Sequence, residues 1–352
     1  MKPFSVIIAA LFCGLVSCVA QTKGYKSVEV EEFSQVIADA NVVRLDVRSA
    51  EEYATGHIAD AINIDVRKPD FESRSLATLP KGKLLAIYCR SGRRSKMAAD
   101  VLVKKGYQIV ELNSGIIGWS KAGKPTTTET VDLFSTKEGT SIYIYSIKHG
   151  SIRMKIGDKW LYVDPVTTGV APATDFTTMP KADYILVTHE HFDHLDSLAI
   201  CQLTKEGTIL IANQKSNEIL GGKGESMKNG GKKTLSKTIK INAVPAYNTT
   251  KEKLQFHPKG RDNGYVLTIE GFRIYIAGDT EETPEMKKLE GVDVAFLPCN
   301  LPYTMSVEQV VSAAKTIKPK ALFPYHYGDT DVNQVVNLLE GSGIDVRIRS
   351  YK

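Results

Sequence analysis

The spacing of hydrophobic and polar residues changes once along this chain and divides it into two regions. In the first region, short apolar runs alternate with stretches in which apolar residues recur at helical spacing. Helices are predicted to begin after Ser49, which starts a capping box, and at Lys96. The predicted strands of this region are 42–47, 84–88 and 108–112. Because strands that alternate with helices are typical of a parallel sheet, we expect an α/β domain over residues 24–122.

The second region follows a stretch rich in glycine, proline and threonine, which predicts a linker over residues 123–140. From residue 141 onward, apolar runs follow one another at close spacing, as antiparallel hairpins do. The predicted strands are 141–147, 151–156, 160–163, 184–187, 239–246, 272–277 and 321–325. Residues 141–352 are therefore predicted to form a second domain.

Length and composition agree with two globular domains. The chain has 352 residues, of which 42% are hydrophobic and 24% are charged. Its formal net charge of +5 is small for this length, and no basic tract is interleaved with aromatic residues. We therefore expect small-molecule substrates and no nucleic-acid partner.

The N-terminus has the pattern of an export signal. An apolar run over residues 4–16 follows Met1-Lys2 and is too short to span a bilayer as a mature helix. Leu15-Val16-Ser17-Cys18 resembles a bacterial lipobox, which implies cleavage before Cys18 and lipidation of that cysteine. Cleavage after Ala20 is the alternative, so the signal peptide is assigned to residues 1–20. We expect an exported, periplasmic protein that a lipid on Cys18 anchors to the membrane.

The cysteines give no disulfide framework. Of the five, Cys13 and Cys18 belong to the signal segment, which leaves three for the mature protein. Cys201 and Cys299 lie in apolar stretches and are expected to be buried small hydrophobic residues. A bridge between them stays open from sequence.

The most distinctive pattern of the second region is His-x-His-x-Asp-His, which follows the predicted strand 184–187. Its members are His189, His191, Asp193 and His194. Neutral imidazoles together with a carboxylate oxygen suit zinc or another first-row metal. Because the pattern lies where a strand ends and a loop begins, these side chains can converge on one point.

This pattern resembles that of the metallo-β-lactamase superfamily, and within it the metal-dependent hydrolases that include ascorbate-phosphate lactonases. The resemblance implies an αββα sandwich. It extends to Gly278-Asp279-Thr280 and to Pro324-Tyr325-His326, each at the end of a predicted strand. It implies that Asp279 bridges two metal ions and that His326 completes the second metal position.

One position departs from the pattern of that superfamily, where many members carry a histidine at the end of the strand before Gly-Asp-Thr. Here the strand ends in Tyr247-Asn248, and His257 follows ten positions later. Either His257 completes the first metal position, or that position is weak and Tyr247 faces the substrate. Tyr303 is expected to line the pocket entrance, and His149 is interpreted as a turn residue.

The arginine-rich loop after strand 84–88 is a second candidate site. Cys89 lies at the carboxyl end of the strand and ahead of a helix, where the helix dipole and backbone N–H groups favour a thiolate. Arg90, Arg93 and Arg94 add positive charge that would hold an anionic substrate. The loop therefore predicts a nucleophilic cysteine.

The first region resembles the rhodanese family. The resemblance rests on residues 45–48, 52–58, 89–95 and 115–119. It implies sulfur transfer from an anionic donor through a persulfide on Cys89; a domain kept only for binding is the alternative. Cysteine phosphatases place an arginine six positions after the cysteine, where this chain has Ser95, so the shorter loop favours sulfur over phosphate. His57 is expected to be structural.

These observations predict an exported two-domain enzyme. A metal-dependent hydrolase of an ester, lactone, thioester or phosphodiester would be fused to a sulfurtransferase. We expect one or two zinc ions, although manganese or iron would also suit the ligands, and Asp193 would be both ligand and proton acceptor. The alternatives are a persulfide dioxygenase with mononuclear iron, which also joins these two folds, and a non-catalytic periplasmic binding lipoprotein.

Overall fold

The computed structural model describes residues 24–351 and contains one sheet of five strands and two sheets of seven. The strands of the first sheet are β1 (Lys26–Val28), β2 (Val43–Asp46), β3 (Ile62–Asn63), β4 (Leu84–Tyr88) and β5 (Gln108–Leu112). They lie in the order β1-β5-β4-β2-β3, and all neighbouring pairs are parallel. The helices of this domain are α1 (Val30–Val36), α2 (Ala50–Ala54), α3 (Phe71–Thr78), α4 (Arg93–Val103) and α5 (Gly115–Lys121). The predicted parallel α/β sheet is confirmed.

Local signals explain where two of these helices begin. The Ser49 side chain accepts a hydrogen bond from the backbone N–H of Glu52, and both halves of the predicted capping box are present. Helix α4 begins at Arg93, three residues before the predicted start. The reason is Gly92, whose φ of 91° turns the chain sharply into the helix and whose missing Cβ would lie 2.0 Å from the Asn113 carbonyl oxygen.

The second domain contains two seven-stranded sheets. One is formed by β6 (Val131–Ser135), β7 (Ser141–Lys148), β8 (Ser151–Ile156), β9 (Lys159–Val163), β10 (Tyr184–Val187), β11 (Ile209–Ala212) and β12 (Glu225–Ser226). The other is formed by β13 (Lys232–Thr234), β14 (Ile239–Ala246), β15 (Asp262–Ile269), β16 (Phe272–Ile276), β17 (Val294–Pro298), β18 (Ala321–Tyr325) and β19 (Asp345–Val346). In both sheets the neighbours follow chain order. The helices are α6 (Ser197–Leu203), α7 (Gln214–Ile219), α8 (Val307–Ile317) and α9 (Asn333–Leu338), with 3-10 turns at Phe176–Thr178, Lys251–Lys253 and Pro284–Lys288.

The main hydrophobic core lies between these two sheets. Met154 and Leu186 of one sheet belong to the same buried cluster as Leu267 and Phe296 of the other. On the outer side of the sheet formed by β6 to β12, Val187 belongs to a separate cluster that includes residues of α6. Helix α8 contributes to the main core. Two sheets packed face to face with helices outside confirm the predicted αββα sandwich.

The predicted linker is corrected in part, because residues 131–135 form β6 rather than irregular chain. This strand pairs antiparallel with β7, since its alternating apolar residues can complete the edge of the sheet. Val131 and Leu133 pack in one cluster with core residues of the first domain. Asp132 between them is buried and accepts hydrogen bonds from Arg347 and Arg349 of its own domain, so the contact between the domains at β6 is the apolar one.

Two further expectations concern residues away from the candidate sites. Cys299 is buried as expected, but Cys201 is exposed, because it lies on the solvent side of the short helix α6. Both thiols are free. The predicted signal peptide and Cys18 lie outside the described residues, and within residues 24–351 no helix has the length and apolar character needed to cross a membrane.

Candidate metal centre and cysteine loop

Three histidines form the first cluster of the candidate metal centre. His189 and His191 follow the carboxyl end of β10, and their Nε2 and Nδ1 atoms are 3.0 Å apart. The ring of His257 lies 5.2 Å from that of His189 and 5.0 Å from that of His191. One nitrogen of each of the three rings lies within 4.8 Å of the other two, close enough for all three to hold one metal ion. The structure thus places His257 beside His189 and His191, where the sequence had left the choice between His257 and a weak metal position.

The loop after β14 carries His257 into place. The Asn248 backbone N–H donates to the carbonyl of His257, and its side chain donates to the carbonyl of Tyr303. The same Tyr303 carbonyl lies 3.2 Å from His257 Nδ1, so it can hold the N–H there and leave Nε2 directed to the cluster. His257 therefore reaches the cluster from a returning loop rather than from the end of β14.

A buried carboxylate anchors the same loop. Glu281 is fully buried and accepts hydrogen bonds from the backbone N–H groups of Thr249 and Thr250 and from the Lys253 ammonium. Burial raises the pKa of Glu281, but these donors outweigh it and hold the pKa at about 2. The loop that ends at His257 is thus fixed by an ionised group beneath it.

The second cluster surrounds the carboxylate of Asp193. Its Oδ2 atom is 3.5 Å from His326 Nε2, 3.9 Å from His194 Nε2 and 3.0 Å from His149 Nε2. The donor atoms of these four residues all lie within 4.8 Å of one another. His194 comes from the loop after β10, His326 from the end of β18 and His149 from the turn between β7 and β8.

Asp279 lies between the two clusters. Its Oδ1 atom is 3.4 Å from His194 Nε2, while its Oδ2 atom is 3.4 Å from His257 Nε2 and 3.3 Å from His326 Nε2. The residue follows β16 and is almost fully buried. A carboxylate that contacts histidines of both clusters can serve a metal ion in each.

Buried partners orient the ligand side chains from behind. Asp164, which follows β9, accepts from Nδ1 of His194 at 2.9 Å and from the hydroxyl of Thr188 at 2.6 Å. That hydroxyl lies 2.9 Å from His189 Nδ1 and can accept its proton. Both imidazoles then present Nε2 to the centre, as outer hydrogen-bond partners of metal-binding histidines do.

The charge distribution favours neutral imidazoles in the first cluster. Burial, together with His194, holds the pKa of His189 well below its ordinary value. Burial likewise lowers the pKa of His257 to about 4, and burial together with Arg261 lowers the pKa of His191. Since a metal binds the deprotonated imidazole, these groups are in the binding form near neutral pH.

The second cluster favours a positive charge. Burial lowers the pKa of His194, but Asp279 and Asp193 outweigh burial and raise the pKa well above its ordinary value. Burial raises the pKa of Asp279, but His326 and His194 outweigh burial and hold the pKa well below its ordinary value, so the carboxylate stays ionised. A metal ion would balance these carboxylates in place of the proton on His194.

The buried nitrogens and oxygens test whether a metal would fit. Nε2 of His194, Nε2 of His257, both ring nitrogens of His326 and Oδ1 of Asp279 have no hydrogen-bond partner within residues 24–351. Buried polar atoms are nearly always paired, and four of these atoms, the three Nε2 atoms and Asp279 Oδ1, lie close enough together to need a common partner. Nitrogen and carboxylate donors in this number fit one or two divalent ions, so the residues present agree with a metal centre.

Two residues of this centre were missed or misjudged from sequence. His149 was interpreted as a turn residue; it does occupy a turn, but its side chain reaches Asp193. No sequence motif indicates Asp164, which directly follows β9, a strand parallel to β10. An acidic residue at the end of the strand next to the ligand strand is the signal that could have indicated it.

The two predicted substrate-binding tyrosines differ in their surroundings. Tyr303 is 47% exposed and stacks edge-on against Phe256 beside the first cluster. Tyr247 is buried, and its hydroxyl is bonded to Glu285 and Lys259. Neighbouring charged side chains thus occupy the polar atom of Tyr247, and its contact with the substrate stays a prediction.

The second candidate site is the loop between β4 and α4. The Cys89 side chain is buried at the end of β4, where its Sγ atom accepts from the Gly92 N–H at 3.2 Å. The Ser95 hydroxyl lies 3.4 Å from the same Sγ and 2.6 Å from the buried Glu111 carboxylate. A backbone donor and the start of an 11-residue helix thus face the sulfur.

The predicted anion-binding arginines of this loop are not equivalent. The side chains of Arg90 and Arg93 are exposed beside Cys89. Arg94 instead makes two hydrogen bonds of 2.7 Å to the carboxylate of Glu52 on α2. The carboxylate already neutralises and orients this guanidinium, and a contact of Arg94 with the substrate stays a prediction. His57 is buried between the carbonyls of Tyr53 and Glu129, which agrees with a structural role.

Comparison with known proteins identifies both domains. A model of the rhodanese-like domain matches residues 29–122, and a model of the β-lactamase superfamily domain matches residues 159–327. A UPF0173 metal-dependent hydrolase of Flavobacterium johnsoniae is 34% identical over 51% of this chain and 81% of the relative. One of Symbiobacterium thermophilum is 34% identical over 54% of this chain and 85% of the relative.

A solved structure of a metal-dependent hydrolase also matches this chain. The crystal structure of a protein of Parabacteroides distasonis, described as a metal-dependent hydrolase, is 51% identical to this chain. The match covers 64% of this chain and 100% of that chain, with a TM-score of 0.61.

Proposed function

Because this chain belongs to the metal-dependent hydrolases of the β-lactamase superfamily and carries a rhodanese-like domain ahead of the hydrolase domain, we propose that it is an enzyme with two activities. The second domain hydrolyses an ester, lactone, thioester or phosphodiester, and the first transfers sulfur through Cys89. The observation that carries the hydrolase proposal is the set of buried imidazole and carboxylate atoms around Asp279 that lack hydrogen-bond partners within residues 24–351.

The chain offers two adjacent positions for divalent ions, and zinc suits their donors best. His189, His191 and His257 would hold one ion, Asp193, His194 and His326 the other, and Asp279 both. A bound ion of this kind lowers the pKa of a coordinated water to about 7 and polarises the scissile carbonyl or phosphoryl oxygen.

The side chains themselves hold and move the proton. Burial raises the pKa of Asp193, but the charge of His194, a hydrogen bond from His149 and the nearby His326 lower it well below its ordinary value. Asp193 is thus ionised near neutral pH and is the proposed acceptor of the water proton. Tyr303, half-exposed beside His257, is the proposed substrate contact.

The hydrolase proposal is tested by metal analysis followed by a substrate panel. Protein purified without added metal should contain one or two equivalents of zinc and hydrolyse at least one ester, lactone, thioester or phosphodiester. Removal of the metal by a chelator should abolish that activity, and zinc should restore it. Iron together with oxygen uptake on a persulfide would contradict the proposal and assign the alternative dioxygenase function.

The sulfurtransferase proposal rests on the position of Cys89. Its thiolate would attack the outer sulfur of thiosulfate, so that an S–S bond forms at Cys89 and the S–S bond of thiosulfate breaks to release sulfite. Cyanide would then take the terminal sulfur as thiocyanate and regenerate the thiolate. The exposed Arg90 and Arg93 would hold the anionic donor. A thiosulfate:cyanide assay, with wild type and Cys89→Ser, tests this step.

The proposed place of the enzyme is the periplasm, with a lipid on Cys18 as its membrane anchor. The support is the lipobox-like Leu15-Val16-Ser17-Cys18 after an apolar run. Cys18→Ala should move the protein from the membrane to the soluble fraction. A wild-type protein that is already soluble and begins at Gln21 would contradict lipidation.

A further inference from the structure

The turn between β7 and β8 is built into the second cluster through its backbone. The His149 N–H donates to the carbonyl of Tyr351 at 2.7 Å, and the His149 carbonyl accepts from the N–H of His326 at 3.2 Å. The turn is therefore attached directly to a proposed metal ligand and to the last described residue of the chain. A turn that only reversed the strand direction would need neither contact.

The turn also lies in close contact with the cluster. A Cβ at Gly150 would lie 2.8 Å from Cε1 of His194, so only glycine allows this approach. His149 and His326 have φ values of 47° and 49°, in the left-handed region that costs a non-glycine residue energy. Asp164, behind His194, has a φ of 43°. Three such residues at one place indicate a geometry retained for function.

The His149 side chain points to the same place as the ligands. Its Nε2 atom is 3.0 Å from Asp193 Oδ2, and its ring centroid is 3.6 Å from that of His326. Its donor atom lies within 4.8 Å of those of Asp193, His194 and His326. One ion can therefore be shared by all four without a change of backbone.

We propose that His149 is a ligand of the second metal position, in addition to Asp193, His194, His326 and the shared Asp279. This inference rests on the proposed hydrolase function. It makes the two positions unequal, because the first would have three histidines and Asp279, whereas the second would have three histidines and two carboxylates. Four donors suit tetrahedral zinc, while five donors with more oxygen suit manganese or iron as well.

A simpler role for His149 would be to hydrogen-bond Asp193 without touching the metal. Loss of such an outer partner typically weakens metal binding by about 10- to 100-fold and leaves the ligand number unchanged. Loss of a ligand lowers the ligand number. The visible absorption of cobalt(II) strengthens as its ligand number falls, so it distinguishes the two roles independently of activity.

The experiment uses the full chain with Co²⁺ as the metal and measures stoichiometry, affinity and visible absorption. The variant His149→Asn keeps the turn, since asparagine tolerates a positive φ, and His149→Gly provides a second variant if the first does not fold. The control is Asp158→Asn in the next hairpin turn, whose side chain is 86% exposed.

Wild type and the control should bind two Co²⁺ ions with the same spectrum. In the His149 variants one ion should bind more than about 100-fold more weakly than in wild type, beyond the usual effect of an outer partner. When the His149 variants are saturated with Co²⁺, the visible absorption of this ion should be stronger than in wild type. Unchanged bands would overturn the assignment of His149 as a ligand, whatever the affinity. A wild-type chain that binds no Co²⁺ would instead overturn the proposed hydrolase function.

Discussion

The Cys89 loop takes its parts from one strand-to-helix connection, whereas the metal centre draws its side chains from loops spread over residues 149–326. In the loop, Gly92 and Ser95 reach the sulfur within six positions of it. In the metal centre, each cluster needs at least two separate segments. A local site depends on the conformation of one turn, while a distributed site depends on the packing of both sheets.

The difference also appears in what lies behind each site. Behind Cys89, the buried Glu111 accepts from Ser95, and Glu52 fixes Arg94. Behind the metal ligands, Asp164 and Thr188 belong to different strand ends, so they orient histidines only after the sheet has formed. We therefore expect the two sites to fail independently when single side chains are changed.

The largest expected effect separates the two sites completely. Cys89→Ser should abolish thiosulfate:cyanide sulfur transfer, because the hydroxyl cannot form the persulfide, and should leave hydrolysis at the wild-type rate. Cys201→Ser, which changes an exposed thiol elsewhere, should retain sulfur transfer. Sulfur transfer by Cys89→Ser would assign the reaction to another thiol.

Asp279→Asn should have the opposite effect, in which hydrolysis is lost and sulfur transfer is kept. The loss of a carboxylate that contacts His194, His257 and His326 should lower the content of both ions. Hydrolysis should fall at least about 100-fold, because the metal contributes several kcal/mol to the transition state and about 1.4 kcal/mol is a factor of ten. Sulfur transfer should not change. Full metal content in this variant would show that Asp279 is not a shared ligand.

A smaller effect is expected from Asp164→Asn, which changes only an outer partner. Asparagine tolerates the positive φ at this position, but it is neutral and holds His194 Nδ1 less strongly. Metal affinity should fall by about 10- to 100-fold in a buffered metal titration. Asp158→Asn again serves as the control. Unchanged affinity would mean that packing alone orients His194.

The smallest effect concerns the pH dependence of the cysteine loop. The hydrogen bonds from Arg94, which outweigh burial, lower the pKa of Glu52 from 4.5 to about 2 in the folded protein. The folded state therefore binds fewer protons than the unfolded chain between these values, and the stability that Glu52 contributes is present above 4.5 and lost as the pH falls toward 2.

The measurement compares the free energies of unfolding of wild type and Glu52→Gln at several pH values. The difference between them should be constant above pH 5 and shrink as the pH falls through about 4 to 3, the window between the two pKa values. Because the Glu52 side chain is 31% exposed, the difference should be small. Glu72→Gln, at a surface pair with Lys105, is the control. A difference independent of pH would contradict the ionic role of Glu52.

Most of the fold could be predicted, because the local pattern of hydrophobic and polar residues indicates most of its strands and helices. The strands β4, β5, β8, β10, β14 and β18 have the predicted bounds, and the predicted capping box at Ser49 is present. Strand β6 was assigned to a linker, because an edge strand of five residues after a turn-rich segment has no signal of its own. Its identity depends on pairing with β7, which sequence spacing does not reveal.

The sequence by itself determined the contiguous chemistry: the loop at Cys89, the histidine pattern 189–194, and the strand-end residues Asp279 and His326. These need only a strand followed by a loop. Tertiary structure alone decided that His257 rather than Tyr247 lies beside His189, that Arg94 binds Glu52, and that His149 and Asp164 lie at the candidate metal centre. The reason is that side chains far apart in sequence meet only where strand ends of a packed sandwich converge, and a turn residue looks the same in sequence whether it faces solvent or a ligand cluster.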